Sequence, residues 1–178
     1  MIEPAEYSAL ERLRDGRQIE IRSLKPADEE AVIAAVNSIS AQSLYRRFFG
    51  AKRHFSEKEK VFFLNVDFVN HVALVAIVQD HGGSVIVGGG RYVVSRAAAA
   101  ELAFAVIDEF QGLGIGATLL RHLVLLARNA GIKELIAEVL PENVPMLKVF
   151  EKSGLSLQTY PRIGVVEVIL NVTSNGGS

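Results

Sequence analysis

The sequence predicts a mixed α/β protein: a single domain of α+β character in which a central mixed sheet carries helices on both faces. Three observations predict it. Stretches with a two-residue period, or with continuous β-branched residues, recur from Gln18 to Val172, as expected of half-buried and fully buried strands. Segments of helical periodicity are interleaved with them, which excludes an all-β sandwich. Finally, 178 residues at 49% hydrophobic content, with no repeat, linker or low-complexity segment, suit one core.

In chain order, residues 1–16 are polar with scattered Tyr7, Leu10 and Leu13, and read as a short helix or loose arm ending at the turn pair Asp15-Gly16. Residues 18–24 alternate strictly and form a strand, stopped by Lys25-Pro26. Asp28 is placed to cap a helix in which Ala31, Val32, Ala35, Val36 and Ile39 recur at helical spacing. A second helix is expected over residues 43–54, with an aromatic face (Tyr45, Phe48, Phe49) and a basic one (Arg46, Arg47, Lys52, Arg53). Ser56 and Glu59 have capping-box spacing for a third helix through Val61–64.

Residues 71–78 are a nearly unbroken apolar strand, Gly82-Gly83 a hairpin break, and residues 85–94 its partner. Gly88-Gly89-Gly90 precede more strand and no helix, which reads as a bulge or close backbone approach. A third strand covers 101–107 after the turn at 97–100. Residues 115–130 place Ile115, Leu119, Leu120, Leu123, Leu126 and Ala127 on one helical stripe, ended by Gly131. A buried strand at 134–140, a helix at 144–153 capped by Asn143, and strands at 155–160 and 163–172 complete the domain. The boundaries read are an arm at 1–16, one domain at 17–173 and a disordered tail at 174–178.

Composition narrows the function. With 19 basic and 20 acidic residues the net charge is −1, so no global field draws the chain to nucleic acid or an anionic membrane. There is no cysteine, and the four histidines lack metal-ligand spacing; no metal is expected. No apolar run approaches the roughly 20 residues of a membrane span, and residues 1–4 lack a secretion-signal pattern, so a cytoplasmic location is expected.

The chemical signal is the turn Gln111-Gly112-Leu113-Gly114-Ile115-Gly116, which leads into the long helix. Glycines let backbone N–H groups approach a ligand, and a helix N-terminus adds a positive dipole end, so the turn is suited to phosphate. Gly112, Gly114 and Ala117 also fit the dinucleotide fingerprint, with Glu138 near the end of the next strand. Against that, the polar spacer 108–111 separates strand from first glycine, and about 110 residues precede the unit.

The element order, together with Gln111-x-x-Gly114-x-Gly116, Pro141-Glu142-Asn143 and Phe150-Glu151-Lys152-Ser153-Gly154-Leu155, resembles the GCN5-related N-acetyltransferases (GNAT) over nearly the whole chain. Arg12-Leu13-Arg14-Asp15-Gly16, Leu44-Tyr45-Arg46-Arg47-Phe48-Phe49 and Glu101-Leu102-Ala103-Phe104 are similar to the bacterial protein lysine acetyltransferase branch. The resemblance implies the acyl-CoA N-acyltransferase fold, a mostly antiparallel sheet with splayed parallel strands. It implies acetyl-CoA as co-substrate and an amine acceptor, small molecule or protein lysine, with a homodimer as a state common in the family.

By the same resemblance Glu101 takes the place of the general base, expected to be partly buried, and the backbone N–H of Val106 that of the oxyanion donor. Phe104, Ala105 and Val106 would meet the pantetheine arm with Asn143 and Phe150. The pyrophosphate would rest on Gly112, Leu113, Gly114, Ile115, Gly116 and Ala117 with the Thr118 hydroxyl, Gln111 orienting the loop. One departure stands out: Phe150 sits where many members carry an acidic tyrosine, leaving Tyr160 or Ser153 as alternative donors, or none. That departure also motivates a second reading, a non-catalytic acyl-CoA-binding sensor or regulatory domain.

Overall fold

The computed structural model describes residues 1–39 and 57–173. The expectations for the aromatic and basic segment 43–54, for Ser56 and for the tail 174–178 lie outside the described residues. The strands are β1 (Ser8–Arg12), β2 (Gln18–Ser23), β3 (His71–Asp80), β4 (Gly83–Arg96), β5 (Ala99–Val106), β6 (Glu134–Val139), β7 (Ser156–Arg162) and β8 (Val165–Asn171). The helices are α1 (Glu29–Asn37), α2 (Glu57–Leu64), α3 (Ile115–Asn129) and α4 (Val144–Glu151). All eight strands form one sheet in the order β1-β2-β3-β4-β5-β6-β8-β7, antiparallel except for β5 with β6.

β3 explains the two-sided architecture. Its even residues Val72, Leu74, Ala76 and Val78 join Leu119, Leu123 and Leu126 of α3 in the main core. Its odd residues Ala73, Val75 and Ile77 form a second cluster with Leu24 and Ile86, against which Val32, Ala35 and Leu64 pack. A strand covered on both faces has no polar alternation to show, hence the unbroken apolar run. The glycines of β4 are needed where helix and neighbouring strand press close. A Cβ on Gly90 would stand 2.8 Å from Leu123 Cδ1, and one on Gly88 3.0 Å from the Ala105 carbonyl. The ladder also shifts register beside them, between Ala76 and Ile77.

Two expectations are corrected. Residues 1–16 are neither a short helix nor a loose arm: after a 3₁₀ turn at Pro4–Glu6 they form β1, paired to β2 from Ser8↔Arg22 to Arg12↔Gln18. Gly16, at φ 89°, closes the hairpin. As an edge strand β1 buries little, with Leu10 65% exposed, so it left a faint hydrophobic pattern. Polar contacts hold it instead: Glu11 accepts from Arg121 at 2.5 Å and meets His122 Nε2 at 2.7 Å, while the Tyr7 hydroxyl meets His122 Nδ1. Asp28, expected to cap α1, is instead turned to Arg22, whose guanidinium donates to both of its oxygens at 2.8 Å, and to the Lys25 N–H at 2.7 Å. Among the described residues no helix is long and apolar enough to cross a membrane.

Candidate active site

β5 and β6 lie side by side but pair only over Ala99, Ala100 and Glu101 with Glu134, Leu135 and Ile136. Beyond that point each strand continues, held on its outer side by β4 and β8 respectively, so the two diverge. A cleft of about 1410 Å³ opens from the fork. Its walls include residues 102–106 of β5 and 137–139 of β6, with Asn143, Met146 and Phe150 below and Gly112, Gly114 and Gly116 at one end.

The backbone of β5 is turned into this gap at alternate residues. The Ile107 N–H donates to the Val87 carbonyl at 2.9 Å across the β4 side. In an antiparallel ladder the neighbouring residue then points its N–H and C=O the other way. Those of Val106 face the gap, where the Val106 carbonyl accepts from Gln111 Nε2 at 3.0 Å.

After β5 a 3₁₀ turn, Asp108–Phe110, leads into the glycine loop, where Gly112 and Gly114 take φ of 80° and 90°. Gly114 is the N-cap of α3 and offers no side chain to its first turn, whose N–H groups have no acceptor within the helix. Gly116 lies against the Phe104 ring; a Cβ there would be 3.5 Å from Cε2. Cradle and gap together suit a chain with a diphosphate at one end and an amide-bearing arm. The arm could hydrogen-bond along the diverging strand, as an added strand would.

Asn143 caps α4, its Oδ1 accepting from the Met146 N–H at 3.4 Å, and lines the cleft as well. Phe150 is 2% exposed and packs on Phe104 with ring centroids 5.8 Å apart. Of the other donors considered for its position, Ser153 gives its hydroxyl hydrogen to the Phe150 carbonyl at 2.6 Å, and the Tyr160 hydroxyl donates to Gln158 at 3.2 Å.

Glu101 stands at the fork, in register with Val93 on one side and Ile136 on the other. It lines the cleft but is exposed, not partly buried as expected, because its side chain alternates to the face of β5 opposite Ala100 and Leu102, which are buried in the main core. On the same cross-strand row His71 lies opposite Val93. His71 is buried, stacks on Phe62 and meets the Arg91 guanidinium at 2.8 Å. Burial, and then Arg91, lower its pKa to about 4, so Nε2 accepts and the ring is neutral.

The cleft thus gathers Glu101, Phe104, Ala105, Val106, Gln111, Gly112, Gly114, Ile115, Gly116, Ala117, Asn143 and Phe150. Leu113 and Thr118 are not among its lining residues. Leu113 packs against the main core and presents its carbonyl to the Arg14 N–H, and Thr118 lies round the helix flank, its N–H donating to the Gly114 carbonyl at 3.0 Å. Sequence reading missed Arg14 and Arg91, both of which line the cleft. The Asp15-Gly16 pair followed by strict alternation was a hairpin signal that could have brought Arg14 to this end of the sheet. Among the described residues no three His, Asp or Glu side chains cluster as metal ligands.

Comparison with known proteins agrees with this architecture. The acetyltransferase (GNAT) family profile matches residues 38–155. The chain is 32% identical over 127 residues to an acetyltransferase of Pseudomonas aeruginosa, covering 71% of this chain and 68% of that one. It superposes on the GNAT domain of S. lividans PAT with a TM-score of 0.84 at 34% identity, covering 92% and 96% of the two chains. A structure from Salmonella typhimurium that holds its cofactor acetyl-CoA shares the fold at a TM-score of 0.70 and 17% identity, over 89% and 96% of the chains. Fold, fork, glycine loop and family match lead to one assignment: the chain belongs to the acetyltransferase (GNAT) family, as an acetyl-CoA-dependent N-acetyltransferase.

Proposed function

We propose that the chain moves the acetyl group of acetyl-CoA to a primary amine by direct attack, with a protein lysine as the leading acceptor. The observation that carries this reading is Glu101: an exposed carboxylate at the last paired position of the fork, on the rim of the cleft into which the Val106 N–H points. In the proposed step Glu101 takes a proton from the acceptor ammonium and the free amine attacks the thioester carbonyl. The Val106 N–H holds the oxygen as it gains charge, and the amide forms as the C–S bond breaks and the thiolate leaves. Gln111 fixes the end of β5 through the Val106 carbonyl, residues 112–117 hold the pyrophosphate, and Asn143 meets the pantetheine while capping α4.

A cationic acceptor is supported by the same sheet face. Two residues beyond Ile136, Glu138 stands opposite Glu167 on β8, and both line the cleft with Glu101. Glu167 is paired with Arg162 at 3.2 Å, and the remaining carboxylates, Glu101 and Glu138, favour an ammonium over a neutral or acidic acceptor. A second copy would find an edge at β7, whose residues are almost all exposed.

The test is thiol release with acetyl-CoA and a panel of amines and lysine-bearing proteins. Glu101→Gln should lower turnover by roughly two to four orders of magnitude with acetyl-CoA affinity nearly unchanged; normal turnover rejects Glu101 as base. The second reading, an acyl-CoA sensor, is favoured by the phenyl ring of Phe150 where an acid is usual. Tight CoA binding without turnover on any acceptor would establish it.

A further inference from the structure

The glycine loop brings no positive side chain of its own. From Asp108 to Thr118 the sequence holds two acids and no base, and Gln111 is neutral. Backbone N–H groups and the helix dipole offer hydrogen bonds but only about half a positive charge, whereas a diphosphate carries two negative ones. A cation must come from elsewhere in the fold.

The β1–β2 hairpin supplies one. It is fastened over the loop: Leu13 is 4% exposed and its N–H donates to the Arg17 carbonyl at 2.8 Å, and the Arg14 N–H reaches the Leu113 carbonyl at 3.4 Å. The neighbouring cations of the hairpin turn are paired or lie off the cleft. Arg17 pairs with Asp15 at 2.7 Å and lies over the Phe110 ring at 4.8 Å, and Arg12, which donates to the Gly16 carbonyl at 3.1 Å, is not among the residues lining the cleft. Arg14 points to the loop itself. Its Nη1 donates to the Gly112 carbonyl at 3.3 Å, and a Cβ on Gly114 would stand 3.5 Å from its Nε. It lines the same cleft as the loop, and among the described residues no carboxylate forms an ion pair with it. With one long bond to a neutral carbonyl, most of the five guanidinium N–H donors are left for a ligand, in the fork geometry that matches phosphate oxygens.

We propose that Arg14 is the cationic half of the diphosphate site, reaching from the first hairpin to the phosphates cradled by Gly112, Gly114 and Gly116. This rests on the acetyl-CoA reading above. The role is electrostatic: the loop gives shape and hydrogen bonds, and Arg14 gives charge.

The experiment compares full-length wild type with Arg14→Gln and Arg14→Lys, after circular dichroism and thermal unfolding have shown each variant folded. Affinity is measured for CoA and 3′-dephospho-CoA, and kcat/KM for S-acetylpantetheine, which lacks the diphosphate. Arg14→Gln should weaken CoA and 3′-dephospho-CoA alike by about tenfold, flatten the salt dependence of binding, and leave S-acetylpantetheine unaffected; Arg14→Lys should recover part of the loss. A loss confined to CoA overturns the proposal by moving Arg14 to the 3′-phosphate. An equal loss with S-acetylpantetheine overturns it by making Arg14 a brace for the loop. If wild type binds neither CoA compound, the acetyl-CoA reading itself falls, and Arg14's role with it.

Discussion

The side-chain amide of Gln111 donates to the carbonyl oxygen of Val106 at 3.0 Å, joining the loop that would hold the phosphates to the last peptide of the strand that would hold the thioester. Gln111→Ala removes this tie from an exposed position, so stability should change by less than about 1 kcal/mol. The strand end would lose its fixed direction: kcat should fall several-fold and KM for acetyl-CoA rise. Steady-state kinetics beside a melting curve separate the two effects.

Gly114 and Gly116 differ in what a methyl group would do. At φ 90° an alanine at position 114 is strained, so Gly114→Ala should cost about 1 kcal/mol and lower Tm by roughly 2–4 °C. Gly116 has helical backbone with ordinary van der Waals room beside Phe104; alanine there should keep or slightly raise Tm. Its methyl would nonetheless stand on the cradle, so Gly116→Ala should raise KM for acetyl-CoA. Equal melting losses in the two variants would contradict this.

Phe150 cannot protonate a leaving thiolate, and the hydroxyls of Ser153 and Tyr160 are engaged with Phe150 and Gln158. A thiolate with a pKa near 8.5 is a tolerable leaving group in water. Phe150→Tyr should therefore change kcat less than about threefold at pH 8, and its pH–rate profile should gain no new limb. A tenfold gain would mean that the missing acid limits the natural enzyme.

His71 makes stability pH-dependent in a defined window. Its pKa falls from 6.5 to about 4 in the folded chain, through burial and then Arg91. Between those values the unfolded chain binds a proton that the folded one refuses. The contribution is full above pH 6.5, declines as pH falls, and is lost by about pH 4. The slope is at most about 1.4 kcal/mol per pH unit. Asp67, the facing carboxylate, accepts the N–H groups of Val69, His71 and Asn70, which hold it below the usual range, so it titrates beneath this window. Denaturant midpoints at pH 7, 5.5 and 4 should show the decline, and His71→Gln should flatten it.

The parts legible in the sequence were those set by local chemistry. The glycine loop, the stripe of α3, the Asn143 cap and the apolar run of β3 each follow from residue type and spacing, and the family resemblance supplied Glu101 and Val106. What was not legible depended on contacts distant in sequence. β1 owes its order to Tyr7 and Glu11 meeting His122, more than a hundred residues away, and neither makes a hydrophobic pattern. Asp28 had two competing uses, and Arg22, six residues back, decided between them. Arg14 was visible as part of a motif, but its neighbourhood could be known only after the hairpin was placed over Gly112.

The fork between β5 and β6 carries a last consequence. Glu101 is the final residue of β5 still in register with β6, and the backbone turned to the cleft begins one residue later. The spacing between proposed base and proposed oxyanion donor is therefore written in the hydrogen-bond ladder rather than in any side chain. Adding or removing one residue between them would change it by about 3.3 Å and reverse which face the carboxylate serves relative to the donor. A one-residue insertion or deletion in β5 should thus abolish acetyl transfer even when every named residue is present and the protein still folds.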